Sequence, residues 1–305
     1  MRRVLIVNPA ASGVDRRCIE QVRSELSVHA PVDVMLTEHP GHAAELVAAL
    51  PEDCASVYVL AGDGGYNEVV NGICLDIPIG FIPGGATSVL PRALGLPRDP
   101  VACARRLAAS GRLRRIGLGR VTPTRSDSRD EQATSRRFTF CAGVGLDAEL
   151  VRAVDRHGRR SGRRPGDLAF AWELARLLVT RHGRIDADLE IAGLGRCAFV
   201  LAANCDPYSY VGWLPIHATP TARFELGLDV VAPRQMQPAD IGRFLWWILV
   251  SPNQQRSPDV IYIRDADRVQ VLCAEPTPLQ VDGEDLGNVV EVILEAERDA
   301  LTVLV

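Results

Sequence analysis

The sequence contains no lysine; all 34 basic residues among its 305 are arginine. That excludes a Walker P-loop, the phosphate-binding lysine of protein kinases and Schiff-base chemistry, each of which needs an ε-amino group. Other absences narrow the field further. No internal period marks a repeat fold. "MRRVLIVNPA" lacks the charged, apolar and small-residue succession of a signal peptide. "FLWWILV" (Phe244–Val250) is far too short to cross a bilayer. The eight cysteines show no CxxC pair or metal-like spacing, so with no export signal they are expected to be reduced, mostly buried thiols. A net charge of −4 argues against bulk nucleic-acid binding. Arginine nevertheless outnumbers acid between Arg112 and Arg164, most densely in "RHGRRSGRRPGD".

What is present alternates. "RVLIVN", "VDVMLT", "SVYVLA" and "IPIGFIP" are short apolar runs of buried-strand type. Between and after them lie helical spacings: "VDRRCIEQVRSELS", "GHAAELVAAL", the segment through Glu68, Val69 and Ile73, and two more across "TSVLPRALGL" and "DPVACARRLAAS". The pattern predicts an α/β domain over residues 1–112, a doubly wound parallel sheet with helices on both faces. From residue 113 to 305 strands dominate, with helices near Leu168–Thr180 and Pro238–Val250, predicting a β-sandwich whose last residues return to the first domain. "TPTRSDSRDEQATSRR" (Thr122–Arg137) reads as a flexible surface insertion between two strands.

Ligands of an open parallel sheet bind beyond the carboxyl ends of its strands. Three loops of small residues fall there: "NPAASG" (Asn8–Gly13), "AGDGG" (Ala61–Gly65) and "PGGATS" (Pro83–Ser88). Each enters a helix and offers backbone N–H groups at the positive end of its dipole, while glycine allows close approach to a phosphate. Asn8, Pro9, Ser12, Gly13, Gly62, Gly64, Gly65, Gly84, Gly85, Thr87 and Ser88 are therefore candidate nucleotide-binding positions. A carboxylate beside phosphates is repelled unless a cation intervenes, so Asp63 is a candidate Mg²⁺-side residue; its alternative is helix capping.

"AGDGGYNEVVNG" resembles the GGDGT-x-NE-xx-NG signature of the diacylglycerol kinase catalytic domain family, soluble bacterial lipid kinases related to sphingosine and ceramide kinases. "NPAASG", "TEHPGHAAELV", "IPGGATSVLPRALGLPRDP", "FCAGVGLDAELV" and "LQVDGEDLG" are similar to further family segments in the same order. The resemblance implies ATP and Mg²⁺, with Thr37 and Glu68 joining Asn8, Ser12, Gly62 and Gly64 at the nucleotide. It also implies that Asp282, in a DGE motif with Glu284, is the general base. Asp-Gly between strands is equally a hairpin signal, and a turn could be what aims Asp282. A lipid kinase acting on a diacylglycerol-like acceptor, cytoplasmic and peripheral to the membrane, is the reading that follows. A non-catalytic nucleotide or lipid binder and an NAD kinase-like enzyme are the alternatives, and a homodimer is compatible with all three.

The chain departs from the family on its phosphate side. Ala61 replaces a glycine, Gly65 a threonine, Ala86 a threonine and Ser88 an asparagine. Each hydrogen bond lost to a charged phosphate is worth about 1.5–3 kcal/mol; Thr87 and Ser88 are placed to take over. For the lipid side, Arg156–Arg164 could meet anionic headgroups. The helix around Trp246 and Trp247 reads as packed on the β-domain, with an interfacial role as the alternative. His42 reads as structural or a minor nucleotide contact. His29, His39, His157, His182 and His217 lack metal spacing and receive no role.

Overall fold

The computed structural model describes residues 2–125, 134–161 and 167–305. The chain forms two compact units, one of Met1–Leu118 with Arg298–Val305 and one of Gly119–Glu297. Residues 126–133 of the expected insertion, and the basic run beyond Ser161, lie outside the described residues.

The first unit holds β1 (Arg2–Val7), α1 (Arg16–Leu26), β2 (Asp33–Leu36), α2 (His42–Ala48), β3 (Cys54–Ala61), α3 (Asp63–Gly72), β4 (Ile79–Pro83), α4 (Val89–Ala93) and α5 (Pro100–Ser110). Its strands are parallel in the order β2-β1-β3-β4. Val4–Val7 of β1 are all buried, as are Val57–Ala61 of β3, because helices cover both faces of such a sheet. Two helices start as their sequences dictate. The Asp15 carboxylate accepts from the Cys18 N–H at 2.7 Å, and that of Asp99 from the Ala102 N–H at 2.7 Å, with Pro100 in the first turn. The C-terminal residues close the sheet: Val303 pairs in parallel with Ile79, and the Val305 N–H donates to the Arg112 carbonyl at 3.0 Å.

The second unit contains β5 (Leu113–Thr124, which starts in the first unit), β6 (Arg136–Phe138), β7 (Cys141–Val144), α6 (Leu146–Ser161), α7 (Asp167–Thr180), β8 (Leu189–Ile191), β9 (Gly195–Cys197), β10 (Val200–Ala203), β11 (Ser209–Val211), β12 (Leu214–Ile216), β13 (Leu228–Pro233), α8 (Pro238–Leu249), β14 (Val260–Ala266), β15 (Arg268–Val281) and β16 (Glu284–Leu304). Its pairings are antiparallel. β15 changes partners along its length, meeting β8 through Val271–Cys273 and β7 through Leu279–Val281. Both strand groups thereby face one core that includes Val144, Leu189, Val200, Val230, Val271, Leu279 and Val292.

All eight cysteines are free thiols, five of them buried. Among the described residues no helix is long and apolar enough to cross a membrane. The apolar helix α8 has no buried side chain: Phe244 meets Phe199 edge-on with ring centroids 5.7 Å apart, Arg243 stacks over Trp247, and Trp246 is exposed.

Candidate active site

Strand order β2-β1-β3 puts the chain reversal of the parallel sheet between β1 and β3, and ligands of such sheets bind beyond the carboxyl ends of the strands at that point. The loops after β1, β3 and β4 converge there and are laced by their backbones. The Asn8 N–H donates to the Leu60 carbonyl at 3.0 Å, the Gly13 N–H to the Gly84 carbonyl at 2.9 Å, and the Gly84 N–H to the Ala61 carbonyl at 2.7 Å. Asn8 folds its own loop as well, its side-chain oxygen accepting from the Ala10 N–H at 2.9 Å. Pro9 and Ser12 are exposed on that loop, and Thr37 joins the edge through its N–H to the Val7 carbonyl at 2.8 Å.

Asp63 is the first residue of α3, and Oδ1 of its carboxylate accepts from the Val89 N–H at 2.7 Å. Asp63 thereby caps the start of α4, while the N-cap of its own helix is Gly62. A carboxylate at the strand end suits a Mg²⁺ that keeps mostly water and phosphate ligands. Among the described residues no cluster of three or more His, Cys, Asp or Glu side chains forms around Asp63. Both oxygens of Glu68 are occupied: Oε1 accepts from the Gly41 N–H at 2.9 Å and Oε2 from the Ala43 N–H at 3.2 Å. Glu68 therefore pins the first turn of α2 to α3 and shapes the edge. Tyr66 is fully buried and donates to the Ile82 carbonyl at 2.8 Å, anchoring α3 under the sheet edge.

The substituted positions are resolved one by one. Ser88, expected to take over a lost phosphate contact, is engaged within its own loop. It is buried in a left-handed conformation, and its hydroxyl is held between the Gly85 N–H at 3.2 Å and the Gly85 carbonyl at 3.1 Å. Thr87 is the remaining candidate, half-buried, and among the described residues nothing hydrogen-bonds to its hydroxyl. Gly65 and Ala61 are one change rather than two. A Cβ at position 65 would lie 2.7 Å from the Ala61 Cβ, so the methyl group at 61 fills the space that a side chain at 65 would need.

In the second unit, Asp282 and Gly283 form a two-residue turn, both with positive φ (47° and 80°), joining Val281 to its partner Glu284. This is the hairpin that an Asp-Gly pair signals. The Asp282 side chain is buried, and its carboxylate is enclosed by the chain between β6 and β7. Oδ2 accepts from the Thr139 N–H at 2.7 Å and the Thr139 hydroxyl at 2.9 Å; Oδ1 accepts from the Phe140 N–H at 3.0 Å and the Cys141 N–H at 3.1 Å. A carboxylate has about four acceptor positions. Asp282, expected to take a substrate proton, accepts these four hydrogen bonds from residues 139–141. Glu284, expected to orient a metal or Asp282, is ion-paired with Arg136.

Beside this turn lies a group to which the sequence reading gave no role. Asp147, near the start of α6, accepts on Oδ2 from the Tyr208 hydroxyl at 2.6 Å and from the Gln280 amide at 2.6 Å. Gln280 in turn accepts from the Gly283 N–H at 2.9 Å. Burial pushes the Asp147 carboxyl up, against the lowering effect of its two donors. The available signal was the segment "GVGLD", a small-residue strand end leading into an acid. Arg152, further along α6, grips both oxygens of Asp285 at 2.7 and 2.8 Å. Burial alone would raise the Asp285 carboxyl, but the guanidinium holds it below its ordinary value.

Two histidine pairings also escaped the sequence. His217 contacts both oxygens of Asp206, at 3.1 and 2.9 Å. His39 stacks on His42 with Glu45 near, their ligand atoms within 4.8 Å. His42 Nδ1 accepts from the Glu38 N–H at 3.0 Å, which leaves the proton of the neutral ring on Nε2, so His42 caps the loop rather than offering that nitrogen to a metal.

Residues 2–121 match the diacylglycerol kinase catalytic domain. Among characterised proteins, the diacylglycerol kinase of Bacillus subtilis (strain 168) is 37% identical over 105 residues, which is 33% of this chain and 33% of that protein. The matched segment thus spans well under two thirds of the relative's length. Two solved structures described as diacylglycerol kinases from Bacillus anthracis str. Sterne share the fold at 16% and 18% identity, with TM-scores of 0.70 and 0.76. Each likeness covers 99% of this chain and 96% of the other. The first 121 residues are thus similar to the diacylglycerol kinase catalytic domain, and over its whole length the chain shares the fold of the two Bacillus anthracis structures.

Proposed function

We propose that the protein is an ATP-dependent lipid kinase that transfers the γ-phosphoryl group to the hydroxyl of a diacylglycerol-like acceptor. The observation that carries this reading is the convergence of three small-residue loops at the reversal point of the parallel sheet, within the segment that matches a kinase family. Backbone N–H groups of these loops and the start of α3 would hold the phosphates, where the helix dipole favours negative charge. The Thr87 hydroxyl would add a side-chain donor. Asp63 would hold Mg²⁺ through water; the ion, when bound, neutralises charge on the transferring phosphoryl group. Glu68, Tyr66 and Ser88 would keep the loops in shape through the contacts above. Trp213 and Trp246 stand exposed on the β11–β12 turn and on α8, which packs against β12, and both suit a visit to a lipid surface.

A second reading, nucleotide binding without transfer, is favoured by one observation: Ser88 faces its own loop, so the phosphate side has one hydroxyl candidate fewer than the sequence offered. Labelled ATP presented with vesicles of extracted total lipid separates the two. The kinase reading expects label in a phospholipid whose acceptor can then be identified. ATP binding with no labelled lipid supports the second reading and overturns the first.

A further inference from the structure

We propose that the face formed by α7, α8 and the β11–β12 turn docks on the surface of an anionic lipid bilayer. The inference rests on the lipid-directed reading above, but its test needs no turnover. It starts from where the chain leaves its tryptophans. Of the four in the sequence, Trp172 is 69% exposed, Trp213 80% and Trp246 57%, while Trp247 lies against the Arg243 guanidinium. A large aromatic ring gains more from leaving water than almost any other side chain, so three rings left outside mark a surface with a partner. The three sit on α7, on the β11–β12 turn and on α8, all within the second unit.

The helix α8 carries the plainest sign. Apart from Asp240 and Arg243 its residues, PADIGRFLWWIL, are apolar or glycine, yet none of them is buried. A helix apolar on every side ordinarily lies inside a protein or a membrane. Hydrogen bonds hold its two ends in place. At the start, the Ile185 N–H donates to the Met236 carbonyl at 3.0 Å, and Arg184 Nε donates to Gln237 Oε1 at 3.1 Å. At the other end, the His217 N–H, just after β12, donates to the Ile248 carbonyl at 2.7 Å. The helix α7 is turned the same way. Its Glu173 is buried, whereas Trp172, Ala175 and Val179 are exposed at spacings that share one helical face. Ala175 and Val179 also line, with Leu178, Pro238 and Ile241, an open apolar groove of about 430 Å³. Through that groove the exposed stripe of α7 runs on to α8, and α8 packs against β12.

A bilayer is the partner that fits the chemistry of this face. Tryptophan joins an apolar body to an N–H donor and favours the level of the lipid headgroups. The charges point the same way. Glu173 is buried and bonded to the exposed Arg176, so that pair shows its positive member to solvent. The β11–β12 hairpin carries no charged residue. Arg181 is spent on Glu149, and Arg243 on Asp240 and Asp259. Arg184, at the junction of α7 and α8, is bonded to the uncharged Gln237 side chain. Arg176 and Arg184 are therefore placed to meet lipid phosphates beside the apolar stripe.

Sedimentation of the full chain with vesicles of phosphatidylcholine, with and without phosphatidylglycerol, tests the proposal, alongside tryptophan emission and size-exclusion chromatography. Wild type is expected to bind the phosphatidylglycerol vesicles more tightly, with a blue shift of its emission, and to bind less as salt rises. The double variant Trp213→Ser/Trp246→Ser changes two exposed side chains, so it should unfold in urea like wild type. Its vesicle binding should fall by about a hundredfold or more, roughly tenfold for each ring. Should the double variant not fold, Trp213→Ser alone, on a turn, carries the same comparison with a loss of about tenfold. Binding of a folded variant as tight as that of wild type overturns the proposal. So does a wild type that ignores the vesicles; a dimer dissociated by Trp246→Ser would then give the face to a second copy of the chain. Vesicle binding by a wild type that transfers no label from ATP to lipid supports this proposal and overturns the kinase reading alone.

Discussion

Restoring the threonine that the family carries at position 65 should fail alone and succeed only with a second change. The reason is the 2.7 Å separation between a Cβ built at Gly65 and the Ala61 Cβ. Carbon atoms in contact prefer about 3.5–4.0 Å, so close to an ångström of overlap must be relieved by moving either the end of β3 or the first turn of α3. Neither moves cheaply: Ala61 and Tyr66 are buried, and the Gly84 N–H is bonded to the Ala61 carbonyl. Overpacking of this kind costs about 1–3 kcal/mol, against a gain of under ~1 kcal/mol for replacing glycine in a helix. Gly65→Thr is therefore expected to destabilise the protein by about 1–2 kcal/mol on balance. Ala61→Gly alone loses a buried methyl group and gains backbone freedom, a loss of about 1–2 kcal/mol. In the double variant the threonine occupies the vacated space, and the two losses should cancel by a coupling of about 1–3 kcal/mol. Urea unfolding of the four proteins measures that coupling, and calorimetry measures ATP affinity. Tighter ATP binding, by about 1 kcal/mol or more for a new hydroxyl–phosphate bond, is expected only in the double variant. Stabilities that add to within ~0.5 kcal/mol, or a stable single Gly65→Thr variant with tighter ATP binding, would refute the shared-space explanation.

Asp282→Asn should destabilise the second unit. The amide must turn its NH₂ toward one pair of donors; facing Thr139, whose hydroxyl can reverse, it orphans one buried N–H and removes charge assistance from the rest, a loss of about 2–4 kcal/mol in urea unfolding. Stability within ~0.5 kcal/mol of wild type would show that the cradle does not need the charge. The raised Asp147 carboxyl predicts a pH dependence of the opposite kind to a paired surface acid. The native state holds its proton more tightly than the unfolded chain, so this contribution is fully present below the unfolded pKa and is lost as pH rises through the folded one. The groups facing it are Tyr208, Gln280 and the Cys141 thiol, and burial pushes both Tyr208 and Cys141 up, so neither titrates in the acid range. Unfolding free energy across the acid range should therefore fall less steeply with rising pH in Asp147→Asn than in wild type, and parallel curves would contradict the shift.

The alternation of apolar runs and helical spacings is enough to specify the parallel sheet, because buried strands and amphipathic helices are local patterns. The three loops were legible for the same reason: Asn8–Gly13, Ala61–Gly65 and Pro83–Ser88 each follow a strand directly, and sheet topology alone brings strand ends together. What local pattern does not contain is direction. That Asp63 reaches the Val89 N–H and Glu68 the Gly41 N–H is decided by packing between segments more than twenty residues apart, while Ser88 turns to Gly85 within its own loop. The exchange of a methyl group between positions 65 and 61 looked like two losses in sequence and is one conserved volume in space. Asp282 was found as a motif, but its four donors come from residues more than 140 positions earlier. Asp147 depends likewise on Tyr208 and Gln280, which no spacing rule connects to it. Sequence determined which residues are chemically able to act; only the tertiary structure decided which of their oxygens are already spent, because hydrogen-bond partners are assigned by the fold and not by the chain order.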